Sequence, residues 1–222
     1  MGKLIVFEGT DGSGKSTQFE LLAKRLEAEQ IGFQRLRFPQ YEEPSSALIR
    51  MYLGGAFGDD PEAVNAYAAS TFYAVDRDAS YQRVWKDYYQ GGGFVVSDRY
   101  TTSNAVHQGS KVPEGERAEF FRWLYDLEYD RMGLPRPDLV VLLDMPVELS
   151  EQLMRKREQS TGTHADIHER DEDYLKKCRD VALHAAKYYG WRTVSCAKDG
   201  AIRGVEDIHE EVYAIVKSCL ED

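Results

Sequence analysis

The sequence predicts an α/β fold in which a central five-stranded parallel sheet is flanked by helices. Two observations carry that expectation. Residues 4–7, 34–38, 94–97, 139–143 and 192–196 read as short strands, most of them apolar on successive residues, as strands covered on both faces are. Between them lie long stretches with apolar residues at helical spacing, and a repeated β-α layout makes the sheet parallel. With 222 residues the chain can bury one full α/β core. No repeat, low-complexity tract or linker divides it, so residues 1–222 are expected to form a single domain.

The first strand runs directly into Glu8-Gly-Thr-Asp-Gly-Ser-Gly-Lys-Ser-Thr17, and Gly9 to Ser16 matches G-x-x-x-x-G-K-[ST] without a mismatch. In such a loop successive backbone N–H groups cradle phosphate oxygens, and the following helix points its positive end at the anion. Gly9, Thr10, Asp11, Gly12, Ser13, Gly14, Lys15, Ser16 and Thr17 are therefore the expected ATP-binding residues. Lys15 reaches the β- and γ-phosphates and Ser16 offers its hydroxyl to Mg²⁺. The helical pattern from Gln18 to Glu29 supplies the context that the motif needs. These features place the chain among P-loop NTPases.

In an open parallel sheet ligands bind beyond the carboxyl ends of the strands. The second strand ends in Arg37-Phe-Pro-Gln-Tyr41, where Pro39 biases Phe38 toward an extended backbone. Gly91-Gly-Gly93 ends the helical stretch before the third strand, which itself ends in Asp98-Arg-Tyr100. An acid and an arginine beside a P-loop suit a ligand to metal-bound water and a phosphate clamp. Upstream, Tyr73 and Arg77 are four residues apart and share one helical face, an arrangement that holds a nucleobase or equally lays a surface arginine over a core tyrosine.

Pro135-x-Pro137 precedes the fourth strand, and Asp144-Met-Pro146 closes it. The next helix passes through Met154-Arg-Lys-Arg157 into a polar, glycine-containing stretch. That segment, about 155–172, reads as a lid carrying positive charge to transferring phosphates, against the alternative of a solvated helix face.

The net charge of −10, with acids and bases mixed along the chain, argues against nucleic acid or an anionic membrane as partner. Cys178, Cys196 and Cys219 show no metal-ligand spacing and are expected as free thiols in a reducing compartment. No apolar stretch approaches the roughly 18 residues of a membrane span, and no signal-peptide pattern precedes the first strand. A cytoplasmic protein is expected.

The segments FEGTDGSGKST, RFPQY, YAVDR, DRYTTSNAVHQG and LLDMP, in that order and at similar spacings, resemble the thymidylate kinase family. The resemblance implies transfer of phosphoryl from MgATP to dTMP, giving ADP and dTDP for dTTP synthesis, by a homodimer. It implies that Asp11 lies near the sugar 3′-hydroxyl and the reacting phosphates, that Phe38 and Tyr73 bracket the thymine, and that Arg77 binds its carbonyl edge. Arg99 would hold the monophosphate, Tyr41 would approach it, and Ser103 and Asn104 would face the base. Ser16 and Asp98 are the implied metal-side residues.

Gly12 occupies the loop position where some relatives carry an arginine, so Arg155 and Arg157 in the lid are the candidates for the catalytic charge. The chain departs from the family pattern at Ile167, where the lid often has an arginine, at Gln40, and at His107, where an aromatic commonly meets the sugar. Other acceptors were weighed: another nucleoside monophosphate, or a deoxynucleoside with Glu8 as base. A regulatory nucleotide switch would leave Phe38, Tyr73, Arg77 and Arg99 without a role.

Overall fold

The computed structural model describes residues 1–58, 60–161 and 172–221, with backbone alone at residues 61, 156–161 and 172. Five strands, β1 (Lys3–Glu8), β2 (Gln34–Arg37), β3 (Phe94–Asp98), β4 (Leu139–Asp144) and β5 (Arg192–Ser195), form a parallel sheet in the order β2-β3-β1-β4-β5. Each matches its expected range to within one residue at either end. Burial explains their different compositions. Leu4, Ile5, Val6 and Phe7 of β1 are wholly buried, and β3 is buried along its length, as central strands covered on both faces must be. At the edges, β2 and β5 each bury one residue, Leu36 and Val194, and expose polar neighbours.

The chain divides into two compact units, Met1–Val6 with Phe33–Asp138, and Phe7–Gly32 with Leu139–Asp222. The first holds β2, β3 and the helices α2 (Ala47–Leu53), α3 (Ala66–Ser80), α4 (Lys86–Gln90), α5 (Thr101–His107) and α6 (Arg117–Tyr125). Its centre is aromatic: the Trp85 ring meets Tyr81 at 4.6 Å and Tyr100 at 6.3 Å between centroids. Each such pair adds about 0.5–1.5 kcal/mol beyond area burial. Two π-helical turns, Tyr81–Trp85 and Asp126–Arg131, follow α3 and α6. A Cβ on Gly2 would lie 2.1 Å from the Gly93 carbonyl oxygen, so glycine is required where the chain start crosses the turn before β3.

The second unit holds α1 (Lys15–Ala28), α7 (Val147–Thr161), α8 (Glu172–Tyr189) and α9 (Val205–Glu221). α1 buries Phe19, Leu22, Ala23 and Leu26, spaced i, i+3, i+4, i+7, and packs on α9, which buries Ile208, Val212 and Val216. Burying each large aliphatic side chain contributes about 1.5–3 kcal/mol. Beyond β5 a small antiparallel hairpin, β6 (Ala197–Lys198) and β7 (Ala201–Ile202), turns through Asp199 and Gly200, both at positive φ. Such a pair suits a tight hairpin turn. No helix among the described residues is long and apolar enough to cross a membrane.

Candidate active site

The loop between β1 and α1 is shaped by three glycines at positive φ, Gly9 (156°), Gly12 (75°) and Gly14 (86°). Glycine adopts this region at no steric cost. At Gly12 the space is closed as well, since a Cβ there would lie 2.7 Å from the Ser150 carbonyl oxygen and 2.9 Å from Met154 Cγ. The turn closes through Ser13 N–H donating to Thr10 O at 3.1 Å, and Lys15 Nζ donates to Gly9 O at 2.9 Å. The cap residue of α1 is Gly14, without a side-chain oxygen, and no acid lies in the first turn. Gly14 thus offers no side-chain oxygen to the start of the helix, the arrangement of an anion-binding helix start. Residues 11–17, with Leu153 and Met154 from α7, line a cleft of about 310 Å³. That volume lies at the lower end of small-molecule sites.

Glu8, wholly buried, accepts the Gly9 N–H at 2.9 Å and so braces the base of the loop. Asp144, at the end of β4, is held by a two-pronged contact from Arg179 on α8, at 2.7 and 3.1 Å. Hydrogen bonding to Asp144 outweighs partial burial and raises the Arg179 pKa.

In the other unit, the ends of β2 and β3 meet in register, Arg37 opposite Asp98. Arg37 Nε pairs with Asp98 Oδ2 at 3.1 Å, while Asp98 Oδ1 is buried with no hydrogen-bond partner among the described residues. Arg99 adopts φ 69°, and its Nη1 lies 2.8 Å from His107 Nε2. The Phe38 N–H donates to Asp98 O at 3.1 Å, and the Phe38 ring, almost fully buried, packs 5.9 Å from Tyr100. Tyr41 is exposed.

On α3, burial pushes the Tyr73 phenol well above its ordinary value and keeps it neutral. Arg77 is 2% exposed. Its Nε and Nη2 each donate to Glu128 at 2.6 Å, and Nη1 donates to Tyr100 O at 3.3 Å. Burial pulls its pKa down, but the charge and hydrogen bonds of Glu128 more than offset that and hold the guanidinium charged. The surface-arginine alternative for this pair is therefore removed. Asn104 Nδ2 donates to Ser70 O at 3.1 Å, whereas Ser103 lies half-buried on the first turn of α5.

Among the lid candidates, Arg155 is exposed on α7 and reaches Glu151 at 3.4 Å, one helical turn back. The side chain of Arg157, and residues 162–171 with Ile167 and Arg170, lie outside the described residues.

The family model for thymidylate kinase matches residues 7–212. The chain belongs to the thymidylate kinase family. It is 33% identical over 199 residues to a thymidylate kinase of Mycobacterium tuberculosis, covering 88% of this chain and 92% of that protein. It is 32% identical over 221 residues to a probable thymidylate kinase of Thermococcus gammatolerans, covering 98% and 97%. A solved thymidylate kinase structure from Candida albicans superposes with a TM-score of 0.72 at 23% identity, over 98% of this chain and 92% of that one, and supports the fold. As a thymidylate kinase family member the chain is a nucleoside monophosphate kinase, a transferase phosphorylating dTMP to dTDP, and the other acceptors weighed from sequence are not favoured.

Two buried acids of this family member escaped the sequence reading. Asp76, beside Arg77 on α3, accepts the Gln40 N–H at 2.8 Å and the Ser45 hydroxyl at 2.6 Å, and so anchors the segment after β2. Glu128, in the second π-helical turn, takes the fork of Arg77 and the Thr101 hydroxyl, the latter at 2.7 Å. Removing one partner of such a pair costs about 3–5 kcal/mol. Asp76 adjoins a recognised motif and could have been questioned for that reason. Glu128 lies 51 positions from its partner, and no local pattern points to it.

Proposed function

We propose that this thymidylate kinase family member binds ATP on its P-loop and dTMP on the residues that follow β2 and β3 and line one face of α3. The transfer needs positioning and charge neutralisation rather than a covalent intermediate, because the attacking phosphate oxygen is already anionic. Lys15 and the first N–H groups of α1 hold the donor phosphates. Arg99 clamps the acceptor phosphate, Phe38 and Tyr73 pack against the base, and Arg77, Ser103 and Asn104 read its polar edge. Asp11 lies on the donor loop near the reacting groups, and Tyr41 lies near the acceptor phosphate. Arg155 or Arg157, in a lid over residues 155–172, supplies the remaining charge, with residues 1–222 acting as one functional domain.

Ser16 and Asp98 are each of the chemistry that Mg²⁺ takes: in one unit a serine hydroxyl, in the other a buried carboxylate oxygen with no hydrogen-bond partner among the described residues, both hard oxygen donors. No group of three or more His, Cys, Asp or Glu able to hold a metal occurs among the described residues, which suits an ion carried mainly by phosphates and water. When bound, the ion neutralises charge on the donor phosphates.

The observation that carries the reading is the glycine-shaped anion cradle with Lys15 in one unit; the buried Arg77 and the Arg99 that follows β3 are the acceptor-side candidates in the other. Coupled ADP release measured with dTMP, dUMP, UMP, dCMP and thymidine tests it, with dTMP expected to be the best acceptor. Preference for thymidine over dTMP would overturn it.

A homodimer is the proposed assembly. Leu48 and Met51 on α2 and Val75 on α3 are large apolar side chains left 42–50% exposed. Light scattering of wild type and of a Met51→Glu, Val75→Glu double variant tests this, the variant being expected to run as a monomer. A cytoplasmic location, with nucleotides as the only ligands, completes the proposal.

A further inference from the structure

Glu128 is a buried carboxylate with no role in phosphoryl transfer, yet it gathers the two side chains assigned above to the base edge. Its Oε2 accepts from Arg77 Nε at 2.6 Å and from the Thr101 hydroxyl at 2.7 Å. Its Oε1 accepts from Arg77 Nη2 at 2.6 Å and, at 3.4 Å, from Asn104 Nδ2. Glu128 is fully buried, and Arg77, Thr101 and Asn104 are buried with it.

This network sets polarity. A guanidinium has five N–H donors in a rigid fork and no acceptor. Two are fixed on Glu128 and one on Tyr100 O, which leaves one on Nη1 and one on Nη2 without a partner among the described residues. The Asn104 amide is fixed in the opposite sense. Its Nδ2 faces two acceptors, Ser70 O and Glu128 Oε1, so a flipped amide would set oxygen against oxygen. Oδ1 therefore remains as an acceptor, with no partner among the described residues.

A spare donor from Arg77 and a spare acceptor from Asn104 match a pyrimidine whose C4 carbonyl accepts and whose N3–H donates. They oppose one with a C4 amino group and a bare N3, because that edge has both signs reversed. We infer that Glu128 is a positioning residue that sets this polarity, and so selects a 4-oxo over a 4-amino pyrimidine nucleotide. The inference rests on the proposed placement of Arg77 and Asn104 at the base.

The test compares wild type, Glu128→Gln and Arg77→Gln for KM of dTMP, KM of ATP and the ratio of kcat/KM for dTMP over dCMP. An amide at position 128 removes the charge and sets an NH₂ donor against the Arg77 fork. Glu128→Gln is expected to raise KM for dTMP about tenfold or more and to lower the dTMP-over-dCMP ratio about tenfold, with KM for ATP within about twofold of wild type. A merely structural Glu128 would lower thermal stability and leave that ratio unmoved, and this result overturns the inference. If Arg77→Gln shifts the ratio and Glu128→Gln does not, the inference falls while the placement of Arg77 stands. If Arg77→Gln shifts nothing, the placement falls and takes the inference with it. Should Glu128→Gln fail to fold, Thr101→Val decides, because it keeps the ion pair and removes one donor from Oε2. A fall of about threefold or more in the ratio supports the inference, and an unchanged ratio overturns it.

Discussion

Arg99, the residue after β3, and His107, the last of α5, are eight positions apart, and Arg99 Nη1 stands 2.8 Å from His107 Nε2. A guanidinium only donates, so in a hydrogen bond between the two the imidazole Nε2 is the acceptor. His107 therefore contacts the arginine proposed as the acceptor-phosphate clamp.

Arg99→Ala is expected to raise KM for dTMP much more than KM for ATP, since a charge-assisted clamp contributes roughly 1.5–3 kcal/mol. Removing the imidazole removes that contact, so His107→Phe should also raise KM for dTMP, by less than Arg99→Ala, with KM for ATP unchanged. An unchanged KM for dTMP would rule out the coupling.

Lys15→Ala should lower turnover by at least about three orders of magnitude while the fold persists, because the ammonium offsets charge developing on the transferred phosphoryl. Circular dichroism and the ADP-release rate check the two halves. A folded variant with near wild-type turnover refutes the P-loop assignment.

Gly12 and Gly14 both sit at positive φ but differ in the space around them. Next to Gly12 stand the Ser150 carbonyl and Met154, whereas a Cβ on Gly14 meets nothing within 4 Å. Gly14→Ala should therefore cost only backbone strain, about 1–2 kcal/mol. Gly12→Ala adds a backbone clash and should also weaken ATP binding. Thermal melts with nucleotide titration separate the two, and equal losses at both positions would contradict this packing.

Successive positions on a helix diverge by about 100°, so the sequence expectation is that Arg155 and Lys156 do not serve the same point. Arg155→Ala or Arg157→Ala is expected to lower turnover by about 10²-fold or more with little change in dTMP affinity, and Lys156→Ala to be nearly silent. Single-turnover rates of the three variants decide it, and damage from Lys156→Ala alone would show the register to be wrong.

Burial first, and the nearby charge of Asp144 second, push the Cys196 thiol up to about 12 from 9.0. A raised acid pKa contributes stability below about pH 9, and that contribution is lost as pH climbs toward about 12. Native protein should therefore resist alkylation at Cys196 and at buried Cys178 until it unfolds, with half-buried Cys219 reacting first. Mass mapping after a short alkylation at mildly alkaline pH checks the order.

Local chemistry made the five strands and the glycine-shaped loop readable from the chain itself. Strand burial on both faces writes itself as consecutive apolar residues in β1, and a loop that must curl around phosphate places Gly9, Gly12 and Gly14 at positive φ, with a Cβ also excluded by close neighbours at Gly9 and Gly12. The hairpin around Asp199 and Gly200 stands outside that reading, because it spans only two residues a side. Tertiary structure alone decided which charges meet. Glu128 and Arg77 are 51 positions apart, and a π-helical turn brings the carboxylate to the fork. Buried ion pairs form where packing excludes water, and packing is a property of the folded ensemble of segments rather than of any one of them. The same holds for Asp76 with Gln40 and for Arg99 with His107, where side chains that sequence assigned singly are oriented by neighbours that only the fold supplies.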